Sequence, residues 1–241
     1  SSRLRSGRPE NAARAKAMVD QAELLINSPT LSDGQACLIR DTVLTNTLIC
    51  QPQQRNTRGR IFGGFLMRRA FELAFAGTFS FGGVQPIFRA VDQVDFLHPV
   101  EIGDMLRFTS RVLYVQEVAE VASSSSSSSS SSGGGGGGGV CSDDLHVDVE
   151  VEAHIISPKD RSSRLCNRFN FCFALNSRSA DKRDVARVKK VLPENLEQAI
   201  RVINTLHERE MHNKYTQGRQ LSAGQGLEAI YRLSSSNHTT Q

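Results

Sequence analysis

Two adjacent glycines, Gly63 and Gly64, lie near the start of an apolar stretch of the sequence that runs from residue 62 to residue 79. Glycine lets other atoms approach the backbone closely, and the N–H groups in the first turn of a helix lack an intrahelical acceptor. If the stretch is a helix, the N–H of Gly64 can donate to a carbonyl oxygen as an oxyanion-hole donor. The alternative is steric, because glycines also let the turn before a helix pack tightly.

The side chain of Asn56, in the loop before the glycines, is a second group that can do chemistry. An amide is not a base, but it can hold a water molecule or a carbonyl group by hydrogen bonds. The alternative role is to stabilise a turn, which is common for asparagine in loops. We interpret Asn56 as a site residue.

Activation of a water molecule at such a site needs a carboxylate. Glu72 is the only acidic residue of the apolar stretch, and it is the catalytic candidate within it. Its spacing from Arg68 and Arg69 predicts, as the favoured alternative, an ion pair on the helix surface. Asp92 lies among apolar residues of a predicted strand, where burial raises a carboxyl pKa, but a structural role is favoured there. His98 is interpreted as part of a turn.

Three arginines, Arg55, Arg58 and Arg60, crowd the loop before the glycines, and Arg111 follows on a predicted strand. Basic side chains next to a helix N-terminus suit a phosphate-bearing ligand. The alternative is that each arginine is a solvated surface residue. The residues assigned to ligand binding are Arg58, Arg60, Gly63 and Arg111.

Helices and strands must hold these groups in place, and the hydropathy pattern predicts both. The apolar stretch has one narrow polar stripe at helical spacing, so we expect a helix that is enclosed almost all round. Residues 146–155 and 165–175 alternate between apolar and polar, as in an antiparallel sheet with one wet face. The predicted strands are 41–51, 87–97, 104–115, 146–155 and 165–175, and the predicted helices are 10–27, 62–79 and 193–210.

These elements predict an α+β fold in which an antiparallel sheet wraps around a long buried helix, with flanking N- and C-terminal helices. The expected organisation is a linker and helix over 1–40, one domain over 41–178, and a C-terminal helix with a polar tail over 179–241. Ten serines and seven glycines occupy 123–139. Such a tract cannot bury surface, so we expect a disordered insertion between two strands.

Charge and cysteine content exclude several classes of protein. A net charge of +4, spread along the chain, is too small to indicate nucleic-acid binding. No apolar run reaches the length of a membrane span, and the first residues lack the apolar core of a signal peptide. The five cysteines are scattered without metal-ligand spacing, so we predict no metal site and expect free thiols in a reducing compartment.

Three segments carry a family resemblance: NTLICQPQQRNTRGRIFGGFLMRRAFELAFA at 46–76, SFGG at 80–83 and VDQVDFLHPVEIGD at 91–104. In this order they resemble the C-terminal hotdog repeat of the acyl-CoA thioesterase 9-type double-hotdog family, and the resemblance covers residues 42–175. It implies hydrolysis of fatty acyl-CoA to free fatty acid and coenzyme A, with Asn56 as the catalytic asparagine. It also implies no cofactor beyond the substrate, a second hotdog repeat or homo-oligomer partner, and a mitochondrial or cytoplasmic location.

The sequence departs from single-repeat relatives at one position of the apolar stretch. Those relatives carry an aspartate seven residues after the second glycine, where this chain has Phe71. In double-hotdog relatives the aspartate and the asparagine come from different repeats, and this chain resembles the repeat that bears the asparagine. The alternative is a non-catalytic module that binds acyl-CoA or pairs with a catalytic repeat. We also expect the strand at 87–97 to be an edge strand that meets the partner.

Overall fold

The structure, a computed structural model, describes residues 9–28, 34–117, 144–176 and 188–209. The predicted Ser/Gly insertion and the polar tail beyond 209 lie outside these residues. Among the described helices, none combines the length and hydropathy needed to cross a membrane. The elements in chain order are α1 Pro9–Asn27, β1 Ala36–Leu38, β2 Leu44–Ile49, α2 Gly63–Gly82, β3 Ile87–Phe96, β4 Met105–Glu117, β5 Asp144–Ser157, β6 Ser162–Asn176, β7 Lys190–Leu192 and α3 196–209.

The main sheet has five antiparallel strands in the order β2-β4-β5-β6-β3, with α2 packed against its central strands. The core lies between them, where the alternating apolar residues of β5 and β6 meet the buried side of α2. This arrangement confirms the predicted α+β architecture of a sheet around a helix. Its edges are β2 and, as expected, β3.

The helix α2 is less enclosed than its composition predicts. Leu66, Ala70 and Leu73 are buried against the sheet, but Met67 is 39% exposed and Phe79 is 48% exposed on the far side. The expectation that the helix is covered almost all round is therefore wrong for this single chain. The sheet curves around one side of the helix and leaves apolar surface on the other.

The second face of the sheet is also different from the prediction of a wet surface. Asp148, Glu150 and Glu152 of β5 point away from α2, yet all three are buried. The helix α3 lies over them, and its Arg201 and Arg209 form ion pairs with these carboxylates. The strict alternation in β5 therefore reflects two buried faces, an apolar face packed against α2 and a charged face packed against α3.

A bulge in β6 changes the face on which its first residues lie. The register with β5 shifts between the pairs Ala153–Asn167 and His154–Leu165. Leu165 was expected to align with Phe169 and its neighbours, but the shift places it opposite His154 on the other face. Asn167 remains on the side of α2, where it is fully buried.

Two short elements were not anticipated by the hydropathy pattern. The strand β1 falls within the region interpreted as a linker, and it pairs in parallel with β7 to form a second, two-stranded sheet. Both strands have three residues, too few for a periodic signal.

The helix α3 begins after Asn195, whose Oδ1 accepts a hydrogen bond from the N–H of Gln198 at 2.9 Å, as in an N-cap.

Candidate functional site

The first turn of α2 presents backbone donors without acceptors. The N-cap residue Phe62 has an extended backbone and makes no side-chain cap. Its carbonyl oxygen accepts from Phe65 at 3.0 Å and from Leu66 at 3.3 Å. Within the described part of the chain, the N–H groups of Gly63 and Gly64 have no recorded acceptor. Together with the helix dipole, these two donors favour an oxygen atom that carries negative charge.

Aromatic rings lie against both glycines. A Cβ atom on Gly64 would come within 2.3 Å of the Phe62 ring, and one on Gly63 within 3.0 Å of the Phe96 ring. Neither glycine has a positive φ, so the backbone itself does not require glycine at these positions. The close rings support the steric interpretation of the pair. Because Phe62 and Phe96 are mostly exposed, their rings can move, and the donor interpretation stays a prediction.

A cavity of about 200 Å³ lies beside the start of α2. Gly63 forms part of its wall, together with Phe96 and His98 at the end of β3 and Asn167 of β6. The remaining wall is formed by aliphatic side chains and a proline, and none of the lining residues carries a carboxylate. The cavity can therefore hold an apolar group that ends in a carbonyl. Its lining residues supply no carboxylate that could act as a base.

The predicted site residue Asn56 holds the loop before α2 in a turn. Its Oδ1 accepts from the N–H of Arg58 at 2.9 Å and from the N–H of Arg60 at 3.1 Å. The turn passes through Gly59, which has a φ of 79°. The side-chain oxygen of Asn56 therefore has the structural role in a turn that was the alternative interpretation of this residue. The same bonds fix the amide group, so that its Nδ2 is the part available to a ligand.

The arginines assigned to ligand binding lie on different faces of the molecule. Arg58 and Arg60 are exposed in the loop before α2, and the Nε atom of Arg60 lies 3.8 Å from Glu101. Arg111 faces away from α2, and its guanidinium lies 3.1 Å from Glu152 and 3.8 Å from Glu150. Arg58 and Arg60 therefore lie together in one loop. Arg111 is separated from them, because the odd-numbered residues of β4 around it face α3 and not α2.

The carboxylate of Glu72 is engaged on the surface of α2. It accepts from Arg68 Nε at 3.0 Å and from Arg69 Nη1 at 2.9 Å. The hydrogen bond from Arg68, with that from Arg69 and the charges of both, lowers the pKa of Glu72. A carboxylate with a lowered pKa is a weaker base. This geometry favours the ion-pair interpretation of Glu72 over the catalytic one.

Phe71, at the position where the resemblance implies an aspartate in single-repeat relatives, is half-buried among aromatic rings. Phe71 has its ring centroid 5.4 Å from that of Phe88 and 5.8 Å from those of Phe171 and Phe173. The side chain of Asp92 lies outside what the structure describes, and the carboxylate of Asp95 accepts from the side chain of its neighbour Gln93.

Two groups in the structure were missed by the sequence analysis. Asn167 was not singled out, although an amide within an apolar face of a strand is itself a signal of a buried polar group. The carboxylates Glu150 and Glu152 were read as solvent-facing.

The described residues contain no cluster of His, Cys, Asp and Glu able to hold a metal ion, and their four cysteines are free thiols. Cys141 lies outside them.

Known proteins share this fold and parts of this sequence. Residues 58–117 match the family described as the thioesterase superfamily. A mitochondrial acyl-coenzyme A thioesterase 4 of Humulus lupulus is 40% identical over 83% of this chain and 33% of its own length. The mitochondrial acyl-coenzyme A thioesterase 9 of Mus musculus is 48% identical over 34% of this chain and 19% of its own.

A structural match extends over most of the described fold. The acyl-CoA hydrolase of Staphylococcus aureus, solved in complex with butyryl coenzyme A, coenzyme A and coenzyme A disulfide, has a TM-score of 0.57 and 20% identity. The match covers 81% of this chain and 99% of the other. The chain spans about a third of the length of the Humulus relative. The sequence and the fold together show that the chain carries a hotdog domain of the thioesterase superfamily.

Proposed function

We propose that this domain takes part in the hydrolysis of acyl-CoA thioesters, as the asparagine-bearing half of a site completed by a second hotdog repeat. The observation that carries the proposal is the uncapped first turn of α2, whose Gly63 forms part of the cavity wall. The relatives are acyl-coenzyme A thioesterases, which supports the substrate class. A mitochondrial location is proposed on the same ground.

In the proposed reaction the thioester carbonyl oxygen accepts a hydrogen bond from the Gly64 N–H. Water attacks the carbonyl carbon, the oxygen gains negative charge, and the donor at α2 stabilises that charge by about 3 kcal/mol. The C–S bond then breaks, coenzyme A leaves as its thiolate, and the proton taken from the water returns to the sulfur. The Nδ2 of Asn56 donates to the water or to the substrate and so fixes its position.

The base that takes the proton from water is proposed to be a carboxylate of the partner repeat. Phe71 fills the place of the aspartate, and Glu72 is held by two arginines. The partner meets this chain along the edge strand β3, whose apolar side chains are exposed. Arg58 and Arg60, both exposed, are proposed to face the phosphates of coenzyme A. No resident cofactor enters this mechanism, since coenzyme A belongs to the substrate.

A second candidate is a module that binds acyl-CoA without turnover, and the aromatic surroundings of Phe71 favour it. Release of free coenzyme A from butyryl-, octanoyl- and palmitoyl-CoA, measured by chromatography, separates the two. We expect turnover when the partner repeat is present, and a loss of about 10²–10⁴-fold for this chain alone. Asn56→Ala should reduce turnover, and Glu72→Gln should not. Tight binding without turnover in the complete protein would favour the module, and brisk turnover that Glu72→Gln abolishes would make Glu72 the base.

A further inference from the structure

The cavity beside α2 contains a buried acceptor that the proposed reaction does not use. Asn167 is 0% exposed, and its Oδ1 has no hydrogen-bond partner among the described residues. Its Nδ2 is directed at the carbonyl oxygen of Asp95, 3.5 Å away. A buried acceptor without a donor costs the molecule about 1–3 kcal/mol. A ligand in the cavity that supplies a donor would remove this cost.

The pairing of β6 places Asn167 on the face of the sheet that is turned towards α2. It pairs with Ala153 across the sheet, and Ala153 is a member of the core beneath α2. Both Asn167 and Gly63 line the cavity of about 200 Å³. One open cavity therefore has both the first residue of α2 and a buried amide of β6 in its wall.

The rest of the cavity wall decides which kind of donor fits. The wall combines aliphatic side chains such as Ile61, Leu66 and Val100 with polar groups of Gly63 and Asn167. A single N–H group flanked by methylene groups matches this mixture, because the N–H can donate to an amide oxygen while the methylene groups pack on the aliphatic side chains. A secondary amide in an otherwise aliphatic arm has this character.

We propose that Asn167 is a positioning residue that accepts a hydrogen bond from an amide N–H in the thiol-bearing arm of the substrate. This inference rests on the proposed function. In coenzyme A the nearest amide is separated from the sulfur by a pair of methylene groups. A thioester whose carbonyl meets the first turn of α2 carries that amide into the same region. The contact with Asn167 fixes the arm and hence the carbonyl that the donors of α2 polarise.

The test uses a pair of matched substitutions in β6, Asn167→Leu and Asn170→Leu. Asn170 is 7% exposed and also has an unpaired Oδ1, but it pairs with Glu150 on the opposite face of the sheet. Binding of coenzyme A is measured by calorimetry, and melting curves establish that both variants fold. We expect Asn167→Leu to raise the Kd about 3- to 10-fold, as for one hydrogen bond, and Asn170→Leu to leave it unchanged.

A second measurement identifies the donor atom. S-butyryl-N-acetylcysteamine is compared by NMR titration with the analogue in which an ester oxygen replaces the amide N–H. The unsubstituted chain should bind the amide more tightly, and Asn167→Leu should bind both equally. An unchanged Kd for coenzyme A in Asn167→Leu, or a retained preference for the amide, overturns the role of Asn167 and leaves the proposed function standing. No binding of coenzyme A to the unsubstituted chain counts against the proposed function itself, and the inference falls with it.

Discussion

At the scale of single residues, the site depends on which atoms of each side chain remain available. Asn56 shows this most directly, because its Oδ1 is occupied by two backbone N–H groups and only its Nδ2 can meet a ligand. A structural and a functional role therefore fall on different atoms of one amide. For Gly64 a steric role and the proposed donor role fall on one residue, because the Phe62 ring lies where a Cβ would be and the proposed reaction uses the N–H.

Gly64→Ala separates the two roles of that glycine. Gly64 is in the first helical turn without a positive φ, so alanine fits the backbone and has the higher helix propensity, by up to about 1 kcal/mol. The Phe62 ring is exposed and can swing away from the new methyl group. We expect unchanged or slightly raised stability in urea unfolding. Turnover of butyryl-CoA in the complete protein should fall at least about tenfold, because the new methyl group hinders the approach of the thioester carbonyl to the N–H that alanine retains. Full activity in a folded variant would show that the carbonyl does not approach the backbone at this position.

Sequence alone predicted site residues at the start of α2, which stay predictions, and did not predict that Asn167 lies beside them. Gly63, Gly64, Asn56, Arg58 and Arg60 are close in the chain, so their proximity follows from local structure. Asn167 lies on the same alternation as Phe169 and Phe171, and it reaches the cavity only through the pairing of β6 with β5 and the packing of the sheet on α2. Such long-range packing leaves no local signal in the sequence around Asn167.

At the scale of elements, α3 turns a charged sheet face into a buried one. Glu150 and Glu152 lie beneath it with Arg111, Arg168 and Arg201 around them. Burial raises the pKa of Glu150. For Glu152 burial acts in the same direction, but the hydrogen bond from Arg168 and the arginine charges outweigh it and lower the pKa. The alternation of β5 was predicted correctly. The burial of its charged face was not, because that face is covered by α3, a helix that lies far along the chain.

Arg201→Ala tests how far this network supports the fold. Removal of one cation leaves two buried carboxylates less compensated, and we expect a loss of about 3 kcal/mol in the free energy of unfolding. The control is Arg68→Ala, whose exposed pair with Glu72 contributes at most about 1 kcal/mol. A loss in Arg201→Ala no larger than in the control would show that the network contributes little.

The same variant has a pH dependence with a definite sign. Without Arg201 the folded-state pKa values of Glu150 and Glu152 rise, so the folded state of the variant takes up protons at a higher pH than the folded state of the unsubstituted chain does. The free energy of unfolding of Arg201→Ala therefore increases relative to that of the unsubstituted chain as the pH falls from neutral to about 5. The gap between the two should therefore narrow on acidification, as measured by urea unfolding at several pH values.

At the scale of the whole molecule, apolar surface remains where a single chain cannot cover it. The outer side of α2 exposes Met67 and Phe79, and the edge strand β3 exposes further apolar side chains. The resemblance to hotdog domains, which join along this strand, predicted β3 as an edge, and in the described sheet β3 pairs only with β6. The sequence also predicted full enclosure of α2, which this chain does not achieve. A partner is the physical means by which both surfaces can be buried.

Two substitutions on opposite edges of the sheet test whether that partner meets β3. Val91 on β3 is 38% exposed, and Ile49 on β2 is 52% exposed, so lysine at either position leaves the monomer core intact. An unpaired edge invites strand pairing, and a lysine on that edge opposes it by bringing a charge into the contact. We expect the unsubstituted chain to sediment as a dimer or larger at micromolar concentration. Val91→Lys should shift it towards monomer, whereas Ile49→Lys should not. A stable monomer of the unsubstituted chain, or a shift caused only by Ile49→Lys, would place the partner elsewhere than β3.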